Sequence, residues 1–299
     1  MKKIPVIIDT DPGLGDINAL VMALRSEKLN VKLVCSTAGN VSIEKTTDNI
    51  LYFVKNYSSK TLTAKGTGKP LKRKVTECED VFGESGIGSF VVPKGRYKTD
   101  YANATVAMHK VLTESKEPIT VVTLGPVTNL AKLLTAHPED VEKIKAVYAM
   151  IGSTDGKGNV TPYAEYNCYW DPEALDVVAK SGVNIVFFPK QIGEKTMILQ
   201  SKFKNHEVTH PYHRTIIEML DGFTEKAVDS RYMAMYDECA VYALINPKLY
   251  TFVNCDFEIN LKEFPGQTFM PQNKDGKFKY AVAKSNKELA KAMFNEIYK

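Results

Sequence analysis

The chain has 299 residues, 44% of them hydrophobic and 25% charged, with 39 Lys and Arg against 35 Asp and Glu for a formal net charge of +4. That is an ordinary globular composition, without internal repeats or low-complexity segments. Five cysteines (Cys35, Cys78, Cys168, Cys239, Cys255) with no C-x-x-C spacing argue against a disulfide framework or a thiolate zinc site and fit a reducing, cytoplasmic setting. No apolar run reaches the roughly 18 residues that a membrane span needs. The apolar run after Lys2-Lys3 is interrupted by Asp9 and Asp11, which excludes a secretory leader there. The basic cluster Lys72-Arg73-Lys74 reads as a solvated loop rather than a nucleic-acid contact.

In chain order, residues 4–9 form an apolar strand, residues 12–15 a turn, and Asp16 to about Leu29 a helix with Ile17, Leu20, Val21 and Leu24 at helical spacing. A second buried strand spans Val31 to Ser36, followed by a helix over 43–56 and a short strand at Leu62-Thr63-Ala64. Strands at Ile119–Leu124, Lys145–Met150 and Val183–Phe188 alternate with helices over 129–136 and 171–180. The second of these helices opens on Asp171-Pro172, a capping residue followed by proline in the first turn. Residues 200–235 are polar and broken, with a helix at Tyr212–Gly222, and read as a cap. A helical stretch at Ala240–Ile245 and strands at Tyr250–Glu258 and Lys277–Val282 complete the chain. Strands alternating with helices predict one α/β domain over 1–299. Its Rossmann-like, mostly parallel sheet would be flanked by helices, with the cap over the C-terminal rim of the strands. Ligands of such sheets bind on that rim, where the topology gathers Asp9–Asp16, Gly39-Asn40, Leu124–Asn129 and Met150–Ser153.

The opening Asp9-Thr10-Asp11-Pro12-Gly13-Leu14-Gly15-Asp16 carries the chemistry. An apolar strand has no packing need for carboxylates, whereas a hard divalent cation takes oxygen ligands. Asp9 and Asp11 share a strand face, and Asp16 in the first helical turn also suits the helix dipole. Asp11 and Asp16 can both reach one ion. Two carboxylates do not fill a calcium shell of about six to eight oxygens, so a third acid is needed. Asp237, ahead of an apolar helical stretch, is the candidate. Asp16 or Asp237 taken alone reads equally well as a helix N-terminal acid; the Asp9/Asp11/Asp16 group does not.

The chain resembles the inosine-uridine-type nucleoside hydrolase family over nearly its whole length. Asp9-Thr10-Asp11-Pro12-Gly13-x-x-Asp16 is similar to that family's DxDPGxDD signature, Gly39-Asn40 to its GN turn, and Gly125-Pro126-Val127-Thr128-Asn129 to its GPLTN segment. Met150-Ile151-Gly152, Gly158-Asn159-Val160-Thr161-Pro162, Ala164-Glu165-Tyr166-Asn167 and Asp171-Pro172-Glu173-Ala174 resemble its MGG…GN…AEFN…DPEA block, and Gly266-Gln267-Thr268 its late GQT. The resemblance implies Ca²⁺ held by Asp11, Asp16, Asp237 and the carbonyl of Leu124, with Asp11 as general base for a bound water and Asp9 behind it. It also implies sugar contacts from Asn40, Asn159, Glu165 and Asn167, Met150 packed under the sugar, and a homodimer or homotetramer acting on a small nucleoside or N-riboside in nucleoside catabolism.

Three positions depart from the pattern: Gly15 replaces the first Asp of the DD pair, which normally binds ribose hydroxyls, Phe82 replaces a His beside the base, and Tyr236 replaces a His near the leaving group. The favoured expectation is a working N-ribohydrolase of shifted preference, with Tyr236 hydrogen-bonding the base and Glu84 supplying the missing carboxylate. The alternative is a calcium-dependent ligand-binding protein with a degenerate hydrolase site. A haloacid-dehalogenase-like phosphatase would use Asp9 as nucleophile but wants Thr or Val where Gly13 stands. Dinucleotide binding is disfavoured because no G-x-G-x-x-G opens the first helix and Asp11 and Asp16 would repel a pyrophosphate.

Overall fold

The apolar run near the start becomes β1 (Ile4–Thr10), whose alternate side chains feed two separate cores in this computed structural model, which describes residues 2–76, 78–93, 97–221 and 229–299. Val6 and Ile8 pack on one face with the helices Leu14–Arg25, Ile43–Tyr57, Asp237–Ile245 and Asn286–Ile297. Ile7 packs on the other face with the helices Ala104–Glu114, Thr128–Ala136 and Pro172–Lys180. A strand covered on both faces needs apolar residues at successive positions, which is why this one reads as a run rather than an alternation.

The remaining strands are β2 (Leu29–Ser36), β3 (Leu62–Ala64), β4 (Ile119–Thr123), β5 (Ile144–Ala149), β6 (Ile185–Phe187), β7 (Met197–Leu199), β8 (Tyr232–Ala234), β9 (Tyr250–Cys255), β10 (Glu258–Asn260), β11 (Gln267–Phe269) and β12 (Phe278–Ala283). Eight of them form the central sheet in the order β3-β2-β1-β4-β5-β6-β12-β9. All its neighbours pair in parallel except β12 with β9, which is antiparallel at the edge. The chain winds outward from β1 through β2 to β3, then returns to lay β4 on the other side of β1. That reversal opens a crevice at the carboxyl ends of β1 and β4, the switch point where such sheets hold ligands.

The mostly parallel sheet flanked by helices agrees with expectation; several boundaries differ. The first helix runs Leu14–Arg25 rather than Asp16 to Leu29, and Leu29 opens β2. Gly13 donates its backbone N–H to the Asp16 carboxylate at 2.9 Å, so the first turn is capped three residues before Asp16. The strand expected over 250–258 breaks at Cys255, and Glu258 begins a separate antiparallel pair with β11. The helices Ala104–Glu114 and Asn286–Ile297 add two elements not anticipated. Within the cap region, residues 222–228, including the expected helix end Gly222, lie outside the described residues. The helix Pro211–Leu220 buries Tyr212, Ile216 and Met219 against the first core, so its inner face is core. Arg73 forks onto Glu173 at 2.8 and 2.9 Å, which ties the basic cluster into the fold.

Candidate active site

A cavity of about 420 Å³ opens at the switch point and is lined by Asp11, Asp16, Asn40, Leu124, Met150, Asn159, Glu165, Asn167, Tyr236 and Asp237 among others. Segments far apart in sequence therefore meet on one rim. Asp9 does not line the cavity. It is the last residue but one of β1, with one carboxylate oxygen accepting 2.8 Å from the Asn129 amide and the other buried without a hydrogen-bond partner. Burial pushes its carboxyl up to about 8 against that stabilising bond. Asn129 also donates to the carbonyl of Ser36 and accepts from the backbone N–H of Thr67 at 2.9 Å, so one amide locks β1, β2 and the loop after β3 together.

Asp11 lies just beyond β1, its carboxylate accepting 2.9 Å from the backbone N–H of Asn40, whose side chain donates in turn to the Asp11 carbonyl. Gly39 and Gly125 make room for it. A Cβ at either would fall 2.0 or 2.2 Å from an Asp11 carboxylate oxygen, which gives the glycines of the Gly-Asn and Gly-Pro turns a steric reason. Asp16 accepts from Thr10 Oγ1, the backbone N–H of Gly13 and the Asn40 amide. Asp237 opens the helix Asp237–Ile245 and faces the same cavity. Burial first, then the charge of Asp16, raises the Asp11 carboxyl well above its usual range. Burial raises Asp16 as well. Burial, then Asp16, Glu238 and Asp11 in turn, raises Asp237.

The lining carries five acids (Asp11, Asp16, Asp80, Glu165, Asp237) and, among the described residues, no Lys, Arg or His. Carboxylates that repel one another in a low-dielectric crevice without a basic partner fit a resident divalent cation, and an all-oxygen donor set suits Ca²⁺ or Mg²⁺ rather than a softer metal. The Leu124 carbonyl stands at the end of β4. It accepts 2.8 Å from the Asn167 amide, which also donates 2.9 Å to the Met150 carbonyl. Asn167 thereby clamps the ends of β4 and β5. Glu165 caps the helix Tyr166–Trp170, accepting from the backbone N–H of Asn167, Cys168 and Gly152. Burial raises its carboxyl despite those bonds. Asn159 accepts 3.0 Å from the backbone N–H of Tyr166. Thr268, in the late Gly-Gln-Thr, exchanges hydrogen bonds of 2.8 and 2.9 Å with Ser153 and braces the loop after β5.

Among the described residues a tighter group of potential ligands exists elsewhere: His109, His137 and Glu139 offer atoms within 4.8 Å of one another. None of the three lines the cavity. The two imidazoles stack at 3.7 Å with 15° between planes, so their lone pairs run side by side instead of converging. His109 Nδ1 is engaged by the buried Asp140 at 2.9 Å. This cluster is packing, and the three aspartates are the better metal donors.

The departures resolve unevenly. The space above Gly15 belongs to Asp237: a Cβ there would lie 2.6 Å from its Oδ2. Glu84 is exposed and outside the cavity, so it does not replace the carboxylate lost at position 15. Phe82 and Tyr236 both line the cavity. Sequence reasoning missed Tyr166, which lines the same space and donates its hydroxyl to the Gly39 carbonyl at 2.6 Å. It also missed Thr76, Cys78, Asp80 and Val81, which line another side of the cavity, with the Cys78 N–H donating to the Asn40 carbonyl at 2.9 Å. Tyr166 is visible only as a motif letter, and nothing in the sequence marks the others, because contacts between remote segments leave no periodicity.

Among the described residues no helix is long and apolar enough to cross a membrane. A family model described as inosine-uridine preferring nucleoside hydrolase matches residues 6–295. The chain is 36% identical over 256 residues to the pyrimidine-specific ribonucleoside hydrolase RihA of Escherichia coli O1:K1 / APEC, covering 84% of this chain and 82% of that protein. Two solved structures share the fold. The plant nucleoside hydrolase PpNRh1 has a TM-score of 0.89 at 24% identity, with 99% of each chain covered. A purine-preferring ribonucleoside hydrolase from Gardnerella vaginalis has a TM-score of 0.88 at 22% identity, covering 98% of this chain and 96% of that one. With its motifs folded onto one rim and matched end to end, the chain belongs to the inosine-uridine preferring nucleoside hydrolase family and is an N-glycosyl hydrolase.

Proposed function

We propose that the protein hydrolyses the N-glycosidic bond of ribonucleosides or a related N-riboside in a calcium-dependent reaction with Asp11 as general base. The observation that carries this reading is three aspartates and the Leu124 carbonyl at one strand rim, in a cavity whose described lining contains no basic side chain. Asp11, Asp16, Asp237 and that carbonyl hold the Ca²⁺, which when bound supplies a Lewis acid that lowers the pKa of a water molecule. Asp11 takes the proton of the attacking water, held in aim by the Asn40 N–H and by glycines on two sides. As the bond from the anomeric carbon to the base nitrogen breaks, the base leaves with the electron pair and positive charge grows on the ribosyl ring. Asp11, Glu165 and Asp237 stabilise that charge from fixed positions. Asn40, Asn159, Glu165 and Asn167 orient the sugar hydroxyls, with Met150 beneath the ring. Asn167 has both amide hydrogens committed to carbonyls, so its oxygen is the atom offered to the sugar. Asp9, anchored by Asn129, supports Asp11 from behind. Tyr236 meets the leaving base.

The reading places the protein in cytoplasmic nucleoside catabolism as a homodimer or homotetramer, which light scattering of the purified protein checks. The main test is a panel of pyrimidine and purine ribonucleosides, with and without a chelator. Release of free base that stops on chelation and returns with Ca²⁺ is expected. Confirmed calcium binding with no nucleoside cleaved would sink the hydrolase reading and leave a ligand-binding protein.

A further inference from the structure

The short helix Lys190–Lys195 carries a glycine in its interior, Gly193, at a position where the backbone does not require one: its φ is not positive. Glycine is a poor helix former, so its presence calls for another cause. A Cβ built there would fall 2.1 Å from Cδ1 of Tyr236 and 2.7 Å from Cε1 and Cγ. The obstacle is the body of a rigid ring, not the tip of a flexible chain. The backbone offers no relief. The N–H of Met235, just before Tyr236, donates to the Thr196 carbonyl at 3.0 Å, and Thr196 closes the same helix. The Lys190 N–H donates to the Gly152 carbonyl at 2.9 Å, which fixes the helix start to the loop after β5. Asp237 follows Tyr236 in the chain, and both line the cavity. The ring thus lies against a helix tied at both ends and reaches the cavity, and Gly193 makes the room it needs. A comparable arrangement holds the second aromatic wall: a Cβ at Gly13 would lie 2.8 Å from Cε1 of Phe82.

We infer that Gly193 is a positioning residue that seats the Tyr236 ring at the base end of the cavity and so sets which leaving groups are accepted. This rests on the reading of Tyr236 as the residue that meets the base. A methyl group at 193 turns the ring about its own side-chain bonds into the cavity it lines, because the helix that carries residue 193 is tied at both ends. The space lost is substrate space, and the metal donors stay in place.

The test is a double-mutant cycle on the full-length protein, read by nucleoside kinetics and by Ca²⁺ titration of the unliganded protein. Gly193→Ala is expected to lower kcat/KM for the preferred nucleoside about tenfold, carried mostly by KM. In a Tyr236→Ala background the same change should move kcat/KM by less than about twofold, because there is no ring left to displace. Ca²⁺ affinity should hold within about twofold in both. Equal losses with and without the Tyr236 ring, or a loss that tracks weakened Ca²⁺ binding, overturns the inference, and so does a Gly193→Ala enzyme with unchanged KM. If Gly193→Ala alone does not fold, comparing Tyr236→Ala with the double variant still decides the matter: a folded double variant supports the inference and an unfolded one overturns it. Should Tyr236→Ala and Tyr236→Phe leave nucleoside kinetics unchanged, it is the base-contact reading of Tyr236 that fails. Should they change them while Gly193→Ala does not, only this inference falls.

Discussion

The floor of the cavity and its walls are built by different means. The floor consists of strand ends and helix starts: Asp11, Asp16, Leu124, Met150 and Asn167 sit where β1, β4 and β5 stop or where a helix begins, and most of their polar atoms are tied to backbone or to one another. The walls come from loops, short helices and single aromatic rings: Phe82, Val81, Val160, Tyr166 and Tyr236. The floor's polar atoms are tied to the sheet, whereas a wall can change by one side chain. Two of the three departures from the family pattern, Phe82 and Tyr236, stand in the walls. The third, Gly15, lies in the helix after β1, where Asp237 takes the space that a side chain would need. Under the proposed function, topology sets the chemistry and the less constrained segments set the selection of the substrate.

The sharpest way to break that division is Asp11→Asn. The variant keeps the shape and removes the base, and kcat should fall by roughly a thousandfold, within the range for loss of a general base. A drop of less than tenfold would move the proton-accepting role elsewhere. Next in size is removal of the cation. Asp11, Asp16 and Asp237 all have folded-state pKa values raised above the ordinary 3.8. Without a cation, the stability tied to them is full below that value and drains as pH rises through the folded-state range. A bound divalent ion cancels the drain. The gap in Tm between calcium-loaded and chelated protein should therefore widen from about pH 5 to about pH 8; a gap that narrows would mean that these carboxylates are not the ligands. Asn129→Ala removes the partner of Asp9 and two backbone anchors and should cost about 1–3 kcal/mol of unfolding free energy, measurable by urea titration. The smallest expected effect belongs to the wall: Phe82→Ala should alter KM by about two- to tenfold with kcat nearly kept. If it lowers kcat as severely as Asp11→Asn does, the division between floor and walls is wrong.

How much of this could be read from the sequence follows the same line. The run Ile4–Ile8 and the acids after it are legible because a buried strand and a rim of carboxylates each leave a dense local pattern. Gly39 and Gly125 are visible as motif letters, though only the structure gives the reason, an Asp11 carboxylate 2.0–2.2 Å from where their side chains would begin. Leu29 reads as helical because an apolar residue between helix and strand serves either pattern until a cap decides, and the cap is Ser26, whose backbone N–H closes the last turn on the Ala23 carbonyl at 3.3 Å. The wall residues Tyr166 and Val81 and the seat at Gly193 depend on contacts between segments remote in sequence, which no window along the chain contains. Glu84 looked suitable as a replacement carboxylate by proximity to Phe82 in sequence, yet a loop of glycines turned it outward.

The acidic lining has a consequence for what the protein spares. A nucleotide differs from a nucleoside by a phosphate that is doubly charged near neutrality, and the lining of this chamber carries five acids and, among the described residues, no basic side chain. With the proposed cation engaged by three aspartates, the lining offers no cationic side chain to receive a phosphate, so a 5′-phosphorylated substrate is expected to meet repulsion at entry. The enzyme is then expected to act only on material already stripped of phosphate, which competition between uridine and its 5′-monophosphate would check: equal turnover of the two would refute it. Selectivity of that kind needs no dedicated recognition element, since the same charges that attract the metal keep the cell's charged nucleotide pool out of reach.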